Sequence, residues 1–473
     1  MMNCEINGMF DPESLVVIGA SSKRDYYFLR CHENFKGKLY AVNRNEEAGR
    51  EVIPGVKFYR SVLDIPEKID FAIIEVPGEE IPAIIRKCGK RGVKFATVFA
   101  SGYSELGTEA GKHAEEELIE AANAAGIKII GPNCMGIYYP AKGMSFRFDL
   151  STESGEVSFV SQSGGHALNF SLLGSIHGIK FDKVISYGNG AMIDSTDLIE
   201  YLMHDPSTGI IAAYIEGVKD GRRFLSVLKE AAQIKPVIIW KGGVTDAGAS
   251  AVTSHSGSLA GDARIWDAAL KQAGVIRVDD MDELIDVTST LTTSPLPENR
   301  RVGIISISGG QCVVLADLAS RYGFRIPPLG DVTREKLSKL MPNVGTSIKN
   351  PIDGAASWAN LGTVKETIRL VMEDEGIDSV LIEISIHYML HIFYHNEEDR
   401  MSRLYEILCE LKNQSRKPFF VILSPSNYWH ERRLLEEKLI ESGVPVFPGF
   451  KRALKTLKNL LHYKERGGRS LYE

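Results

Sequence analysis

The stretch LVVIGASS at residues 15–22 decides the fold class of this chain. Four apolar residues run directly into four small ones, which predicts a buried strand that ends in a tight turn. In nucleotide-binding parallel sheets such a turn opens a helix and lies against a phosphate. Gly19 would let the backbone approach a ligand, and Ser21, Lys23 and Arg24 could donate hydrogen bonds to phosphate oxygens. A strand-to-helix turn with exposed basic residues and no ligand is the alternative.

The same alternation of short apolar runs and helical stretches continues along the chain. Buried β-branched runs separated by helices predict parallel sheets with right-handed crossovers. The predicted strands are Leu15–Ile18, Leu39–Val42, Phe71–Val76, Phe95–Phe99, Ile127–Ile130, Val157–Val160, Lys183–Ser186, Ile210–Ile215, Val237–Trp240, Val302–Ile307, Ser379–Ile384 and Pro418–Leu423. We therefore predict an α/β protein of three Rossmann- or flavodoxin-like domains, at residues 1–149, 150–294 and 300–473, with a Pro-bearing linker at 294–299.

Composition narrows the class of protein. The 473 residues are 44% hydrophobic and 25% charged, with a formal net charge of −6. This balance is typical of a globular protein and gives no support for nucleic-acid binding. No apolar run is long enough for a membrane span, and the amino terminus lacks a signal-like apolar region, so we expect a cytoplasmic protein. The six cysteines form no CxxC pair, and we predict neither a disulfide framework nor a metal site.

The turn after the first strand does not fit a nicotinamide dinucleotide. The GxGxxG pattern is absent, and the second predicted strand ends at Asn43-Arg44 without an acidic residue for a ribose hydroxyl. An Asn-Arg strand end favours a more anionic ligand, which weakens the hypothesis of an NAD-dependent dehydrogenase.

The second block combines three features that suit phosphoryl transfer. Ser163-Gly164 precedes an apolar helical stretch, and the free N–H groups at a helix N-terminus bind anions. Glu216 follows the apolar run 210–215, at the end of a strand where parallel sheets place ligands. His255 lies in the small, polar segment 251–261, which we predict to be a flexible loop. A neutral imidazole supported by a carboxylate is a competent nucleophile, although a surface loop with a chance histidine is the alternative.

These segments, taken in order, resemble one family. VVIGASS, GKLYAVN, Val76-Pro77, the segment 100–102 and IGPNCMGI at 130–137 are similar to the CoA-binding domain of the succinyl-CoA synthetase superfamily. The segment 235–261 resembles the phosphohistidine loop of ADP-forming acyl-CoA synthetases, and 187–224 resembles the segment that carries their supporting glutamate.

The resemblance implies roles for individual residues. His255 would be the phosphorylated histidine, Glu216 its carboxylate partner, and Ser163 and Gly164 the phosphate cradle, with His166 in a spectator or modulating role. The implied CoA contacts are Gly19, Ser21, Lys23, Asn43, Val76, Pro77, Ser101 and Asn133. The segment 23–34 departs from the family, since it is shorter and aromatic.

The third block resembles the additional α/β domain of the same synthetases, through 306–329 and 347–353. Its Ser308-Gly309-Gly310 is interpreted as a structural turn rather than an anion site. His387, His391 and His395 are spaced by four, but the aromatic and apolar surroundings favour packing over metal binding.

No ATP-grasp domain and no GxxxxGK[ST] loop is present in the sequence. The resemblance therefore implies an α subunit in a hetero-oligomer, with a nucleotide-binding β subunit that holds ADP or ATP with Mg²⁺. The implied substrates are CoA and a carboxylate or acyl-CoA. A non-catalytic acyl-CoA sensor or scaffold with the same fold is the alternative, although retention of both His255 and Glu216 speaks against it.

Overall fold

The computed structural model describes residues 6–47, 49–256, 261–342, 344–391, 397–469 and 471, apart from the side chains of 253–256, 356, 391 and 397–399. The chain forms two compact units. The first comprises residues 1–175 and 179–279, and the second comprises 176–178 and 280–473.

The first unit begins with a six-stranded parallel sheet in the order β3-β2-β1-β4-β5-β6. Its elements are β1 (Ser14–Ile18), α1 (Tyr27–Cys31), β2 (Lys38–Val42), β3 (Phe58–Tyr59), β4 (Phe71–Ile74), α2 (Ile81–Lys90), β5 (Phe95–Val98), α3 (Glu109–Ala125) and β6 (Lys128–Ile130). This is the Rossmann strand order, and the chain reverses its direction of travel across the sheet between β1 and β4. Every residue of β1, β4 and β5 is buried, as expected for strands covered on both faces.

A second sheet in this unit has the order β12-β11-β10-β8-β9-β7. Its elements are β7 (Gly136–Tyr138), β8 (Ser154–Ser161), α4 (Gly164–Ile176), β9 (Phe181–Ser186), α5 (Ser195–His204), β10 (Ile210–Ile215), α6 (Gly221–Ile234), β11 (Val237–Lys241), α7 (Asp246–Ser256), α8 (Ala263–Ala273) and β12 (Ile276–Val278). The strands β8–β12 are parallel and follow flavodoxin-like order, with the reversal between β8 and β10. β7 is antiparallel to β9.

The second unit holds a five-stranded parallel sheet in the order β14-β13-β15-β16-β17, again flavodoxin-like. Its elements are α9 (Met281–Thr293), β13 (Val302–Ser306), α10 (Gly309–Arg321), α11 (Asp331–Leu340), β14 (Ile352–Asp353), α12 (Leu361–Glu373), β15 (Ser379–Ile384), α13 (Ile386–His391), α14 (Glu397–Gln414), β16 (Phe419–Leu423), α15 (Trp429–Glu441), β17 (Val446–Phe447) and α16 (Phe450–Glu465). The predicted α/β class with three mainly parallel sheets is confirmed. Among the described residues, no helix combines the length and the apolar character needed to cross a membrane.

Candidate functional site

The crevice between β1 and β4 begins at Gly19, directly after β1. Gly19 has a φ of +104° and donates its N–H to the carbonyl of Val42 at 2.8 Å. A β-carbon at this position would lie 2.7 Å from the carbonyl oxygen of Glu75. The backbone of β1 therefore approaches β4 more closely than any side chain allows, and glycine is required here.

The turn after Gly19 is tied down by polar groups of the chain itself. Ser21 Oγ accepts a hydrogen bond from the N–H of Lys23 at 3.3 Å, and the N–H of Ser22 donates to Glu46 Oε1 at 3.0 Å. The Ser22 N–H bond keeps the pKa of the buried Glu46 carboxyl below its usual range. An internal carboxylate thus occupies one of the N–H donors, while the Lys23 and Arg24 side chains are exposed to solvent.

Asn43, at the end of β2, braces the same turn. Its Nδ2 donates to the carbonyl of Ala20 at 2.9 Å, and its Oδ1 accepts from the N–H of Asn45 at 2.9 Å. Through these two bonds, Asn43 holds the ends of β1 and β2 together.

The remaining predicted CoA contacts follow β4, β5 and β6. Val76 is half-buried, whereas Pro77 and Ser101 are exposed. Asn133 adopts a left-handed φ of +57° and donates its N–H to the carbonyl of Ala100 at 2.9 Å. Because the strands are parallel, all of the predicted CoA contacts lie at the carboxyl edge of the first sheet, where ligands bind in such folds.

Glu75 was not predicted, although it lies at the centre of this crevice. It is the first residue after β4, and its N–H donates to the carbonyl of Ile18 at 2.9 Å. The side chain is 1% exposed, and Oε1 has no hydrogen-bond partner among the described residues. Burial raises the pKa of its carboxyl to about 7, and Arg24 acts in the opposite direction.

A second crevice lies between β8 and β10, and two of the predicted catalytic elements meet there. Ser163 and Gly164 begin α4 directly after β8, and Ser163 Oγ accepts the N–H of His166 at 3.3 Å. Gln162 links the two strand ends, since its Oε1 accepts the N–H groups of Glu216 at 2.9 Å and Gly217 at 3.2 Å. The predicted cradle and the predicted carboxylate therefore belong to one site.

The Glu216 side chain is buried at the end of β10. Tyr214 Oη donates to Oε1 at 3.1 Å, and Oε2 accepts no hydrogen bond from the part of the chain that the structure describes. An oxygen of this kind is available to the N–H of an imidazole.

Lys241 lies beside Glu216, at the end of β11, and was not predicted as a site residue. The buried amine donates to the carbonyls of Glu216, at 2.8 Å, and Gly242. Its Nζ lies 4.9 Å from the ring centroid of Trp266. Burial lowers the pKa of the Lys241 amine to about 8, an effect that the Glu216 carboxylate opposes.

The prediction of a flexible loop at 251–261 is wrong for 251–256, because α7 continues to Ser256. Alanines at 247, 249 and 251 favour a helix and outweigh the glycine at 248. His255 lies in the last turn of α7, and its side chain is outside the described residues, as are residues 257–260. The helix packs against the turn Ser104–Leu106 of the first sheet domain.

His166 packs against aromatic rings on the neighbouring strands. Its ring centroid is 4.3 Å from that of Tyr214 and 4.5 Å from that of Trp240. These contacts hold the imidazole at the edge of the Glu216 site.

A polar junction connects the first two sheets, and it too was not predicted. Asn189 Nδ2 donates to Glu105 Oε2 at 2.6 Å and to Glu115 Oε2 at 2.9 Å, and Asn189 Oδ1 accepts from Asn133 Nδ2 at 3.4 Å. The predicted CoA contact Asn133 is thereby connected to the second sheet.

In the second unit, Ser308 precedes α10 and makes no side-chain capping bond. The nearby buried Glu383 accepts hydrogen bonds from Ser306, Gln311 and Ser424. The distance between His387 Nδ1 and Asn427 Oδ1 is 3.2 Å. His395 and the His391 side chain are outside the described residues. No cluster of three potential metal ligands occurs within the described ranges.

Comparison with known families defines the class to which the two crevices belong. Residues 13–140 match the CoA binding domain, and residues 154–291 match the succinyl-CoA ligase like flavodoxin domain. Each match contains one of the crevices. The two domains are therefore of the kinds found in succinyl-CoA ligases.

Two similar proteins specify the family. The chain is 39% identical over 381 residues to the α subunit of the ADP-forming acetate–CoA ligase II of Pyrococcus furiosus, covering 80% of this chain and 81% of that one. It is 37% identical to the ADP-forming acetate–CoA ligase I of Archaeoglobus fulgidus over 79% of this chain, and it spans only 54% of that longer protein. The chain belongs to the family of ADP-forming acetate–CoA ligases.

The structural comparison extends over both units. The acetyl-coenzyme A synthetase 1 of Ca. Korarchaeum cryptofilum, in complex with phosphate and ADP, matches with a TM-score of 0.84 and 28% identity. The match covers 98% of this chain and 97% of that one. The similarity therefore includes the third sheet, which neither of the two family matches reaches.

Proposed function

We propose that this chain is the α-type part of an ADP-forming acyl-CoA synthetase that transfers phosphate through His255. In the direction that forms ATP, phosphate attacks the thioester carbonyl of an acyl-CoA. The C–S bond breaks, and CoA leaves. An imidazole nitrogen of His255 then attacks the phosphorus of the acyl phosphate and releases the carboxylate. ADP takes the phosphoryl group from His255 and becomes ATP.

One observation carries this proposal: the β8–β10 crevice unites a helix N-terminus with a buried carboxylate. Ser163 and Gly164 would hold the phosphoryl group through N–H donors that need no metal. Glu216 would accept the N–H of His255 on Oε2, which fixes the tautomer and stabilises positive charge on the ring.

CoA would bind at the carboxyl edge of the first sheet. The CoA phosphates would bind at the turn that follows Gly19 and Ser21, near the exposed cations Lys23 and Arg24. The rest of the ligand would contact Asn43, Val76 and Pro77. Ser101 and Asn133 would lie at the end nearer the second sheet. The support is geometric: the turn Ser104–Leu106, which follows Ser101, is in contact with the helix that carries His255.

A partner would supply the nucleotide chemistry. Some relatives are named as α subunits and others are longer single chains, so an ATP-grasp β subunit is the proposed partner of this one. Mg²⁺ would accompany ADP or ATP on that partner.

The test is phosphate labelling in the reverse direction. The purified chain is mixed with [γ-³²P]ATP, Mg²⁺ and a candidate β subunit of demonstrated nucleotide binding, and acid-labile, base-stable label is measured. We expect label on the wild type and on His204→Ala, a matched control with an exposed histidine, and no label on His255→Ala. Label that persists in His255→Ala would refute the relay.

The alternative of an acyl-CoA sensor predicts a different outcome. A sensor would bind CoA, but the wild type would acquire no phosphate label with any β subunit that binds nucleotide. Acyl-CoA turnover that depends on the β partner would exclude the sensor.

A further inference from the structure

Glu75 is a buried acid in a place where an anionic ligand is expected. It follows β4 at the reversal point of the first sheet, and the backbone of Gly19 packs against its carbonyl. Oε1 is unsatisfied within the described residues, and the nearest cation to Oε2 is the Arg24 guanidinium at 4.0 Å. A buried carboxyl with an oxygen left unsatisfied costs free energy unless it is protonated or a ligand bonds to it.

The surroundings of Glu75 contain few charges. Arg24, on the turn after β1, favours the ionised form, and the Cys31 thiol on α1 lies within electrostatic range of the same carboxyl. The Arg24 side chain is 62% exposed, so it can leave Glu75 for a ligand phosphate at little steric cost. Glu75 itself is buried directly after β4.

We propose that Glu75 binds CoA as a neutral acid: CoA draws Arg24 away and brings negative charge to the crevice, and Glu75 takes up a proton as the ligand binds. The inference rests on the proposed function, in that it assumes that CoA occupies this crevice. The proton comes from solvent, and no covalent bond of the ligand is made or broken.

The sign of the pH effect follows from this coupling. Loss of the Arg24 charge and arrival of phosphate both disfavour the carboxylate, so the bound form holds its proton to a higher pH than the free form, whose pKa is about 7. The Glu75 contribution to CoA affinity is therefore complete below about pH 7 and is lost as the pH rises through the higher value of the complex.

The test is calorimetric titration of the full chain with CoA at about pH 7.5, in buffers that differ in ionisation enthalpy. We expect the wild type to take up on the order of half a proton more per CoA than Glu75→Gln, which keeps the shape but cannot titrate. Glu79→Gln, a variant of an exposed neighbour, should match the wild type. Between about pH 6.5 and pH 8.5, we expect the wild type to lose roughly tenfold more CoA affinity than Glu75→Gln.

Equal proton uptake by wild type and Glu75→Gln, with CoA binding intact, would overturn this inference and leave the proposed function standing. Absence of CoA binding to the folded wild type would instead refute the proposed function. If Glu75→Gln does not fold, Arg24→Gln provides the test. Removal of the Arg24 charge raises the proton occupancy of Glu75 before CoA binds. The number of protons taken up per CoA must therefore be lower than in the wild type.

Discussion

At the scale of single residues, two buried ionisable groups, Glu216 and Lys241, are neighbours at the ends of β10 and β11. Glu216 has one oxygen bonded to Tyr214 and one that the described residues leave unsatisfied. Lys241 bonds to the carbonyl of Glu216 and to the segment that leads into α7. Glu216 is the proposed partner of His255, and Lys241 connects the backbone at the ends of β10 and β11.

Glu216→Gln should separate charge from shape. The amide fills the same space but cannot stabilise an imidazolium, so we expect the rate of His255 phosphorylation to fall by about 100-fold or more. CoA affinity and the midpoint of thermal unfolding should stay close to wild type. Glu230→Gln, on the exposed face of α6, is the matched control. An unchanged labelling rate in rapid-quench experiments would exclude Glu216 from the transfer.

Lys241 should impose a pH dependence on stability. The pKa of its amine is about 8 in the folded protein and near 10.5 when unfolded, so in between the unfolded chain binds more protons and the free energy of unfolding rises with pH. Lys241→Met has no titrating amine at this position, so it lacks this dependence of stability on pH. We therefore expect the difference in unfolding free energy, wild type minus variant, to increase from about pH 7.5 to about pH 9.5 in urea titrations. Lys271→Met, at an exposed position, is the matched control, and the same increase in both variants would contradict the prediction.

At the scale of elements, the close approach of β1 to β4 is the feature that forms the first crevice. Gly19→Ala would combine an unfavourable φ with overlap against the Glu75 carbonyl, and we expect a loss of at least about 3 kcal/mol of stability together with weaker CoA binding. Gly92→Ala has a similar positive φ but open space around it, so it should cost only about 1 kcal/mol and leave binding unchanged. Stability is measured by urea unfolding and CoA affinity by titration. If the two variants lose similar amounts of both, the crowding at Gly19 is unimportant.

The long buried strands were predictable because their apolar runs are uninterrupted; Ile210–Ile215 and Ser379–Ile384 have the predicted bounds. The edge strands β3, β14 and β17 were missed, since two residues carry no recognisable period. The extension of α7 to Ser256 was missed for another reason: serine, threonine and glycine in 253–261 suggested a loop, while helix formation depended on the alanines upstream.

At the scale of the whole molecule, the parallel topology explains why strand-end residues far apart in sequence share two crevices, as the sequence suggested. Contacts between side chains on different sheets could not be predicted, because they follow from how the domains pack and have no local pattern. The junction of Asn189 with Glu105 and Glu115 is the clearest case, as the residues are 84 and 74 positions apart. It connects the turn beside the predicted CoA contacts to the sheet that carries Glu216.

Asn189→Asp tests whether this junction stabilises the first unit. The substitution replaces the donor that serves two carboxylates with a third carboxylate, so we expect a loss of about 2–3 kcal/mol at neutral pH, from the lost hydrogen bonds and from repulsion. Asn45→Asp, in an exposed position after β2, should lose little stability in the same urea titrations. Because the junction also orients Asn133, CoA affinity should fall together with stability in Asn189→Asp. A free energy of unfolding equal to that of the wild type would show that the junction does not stabilise the first unit.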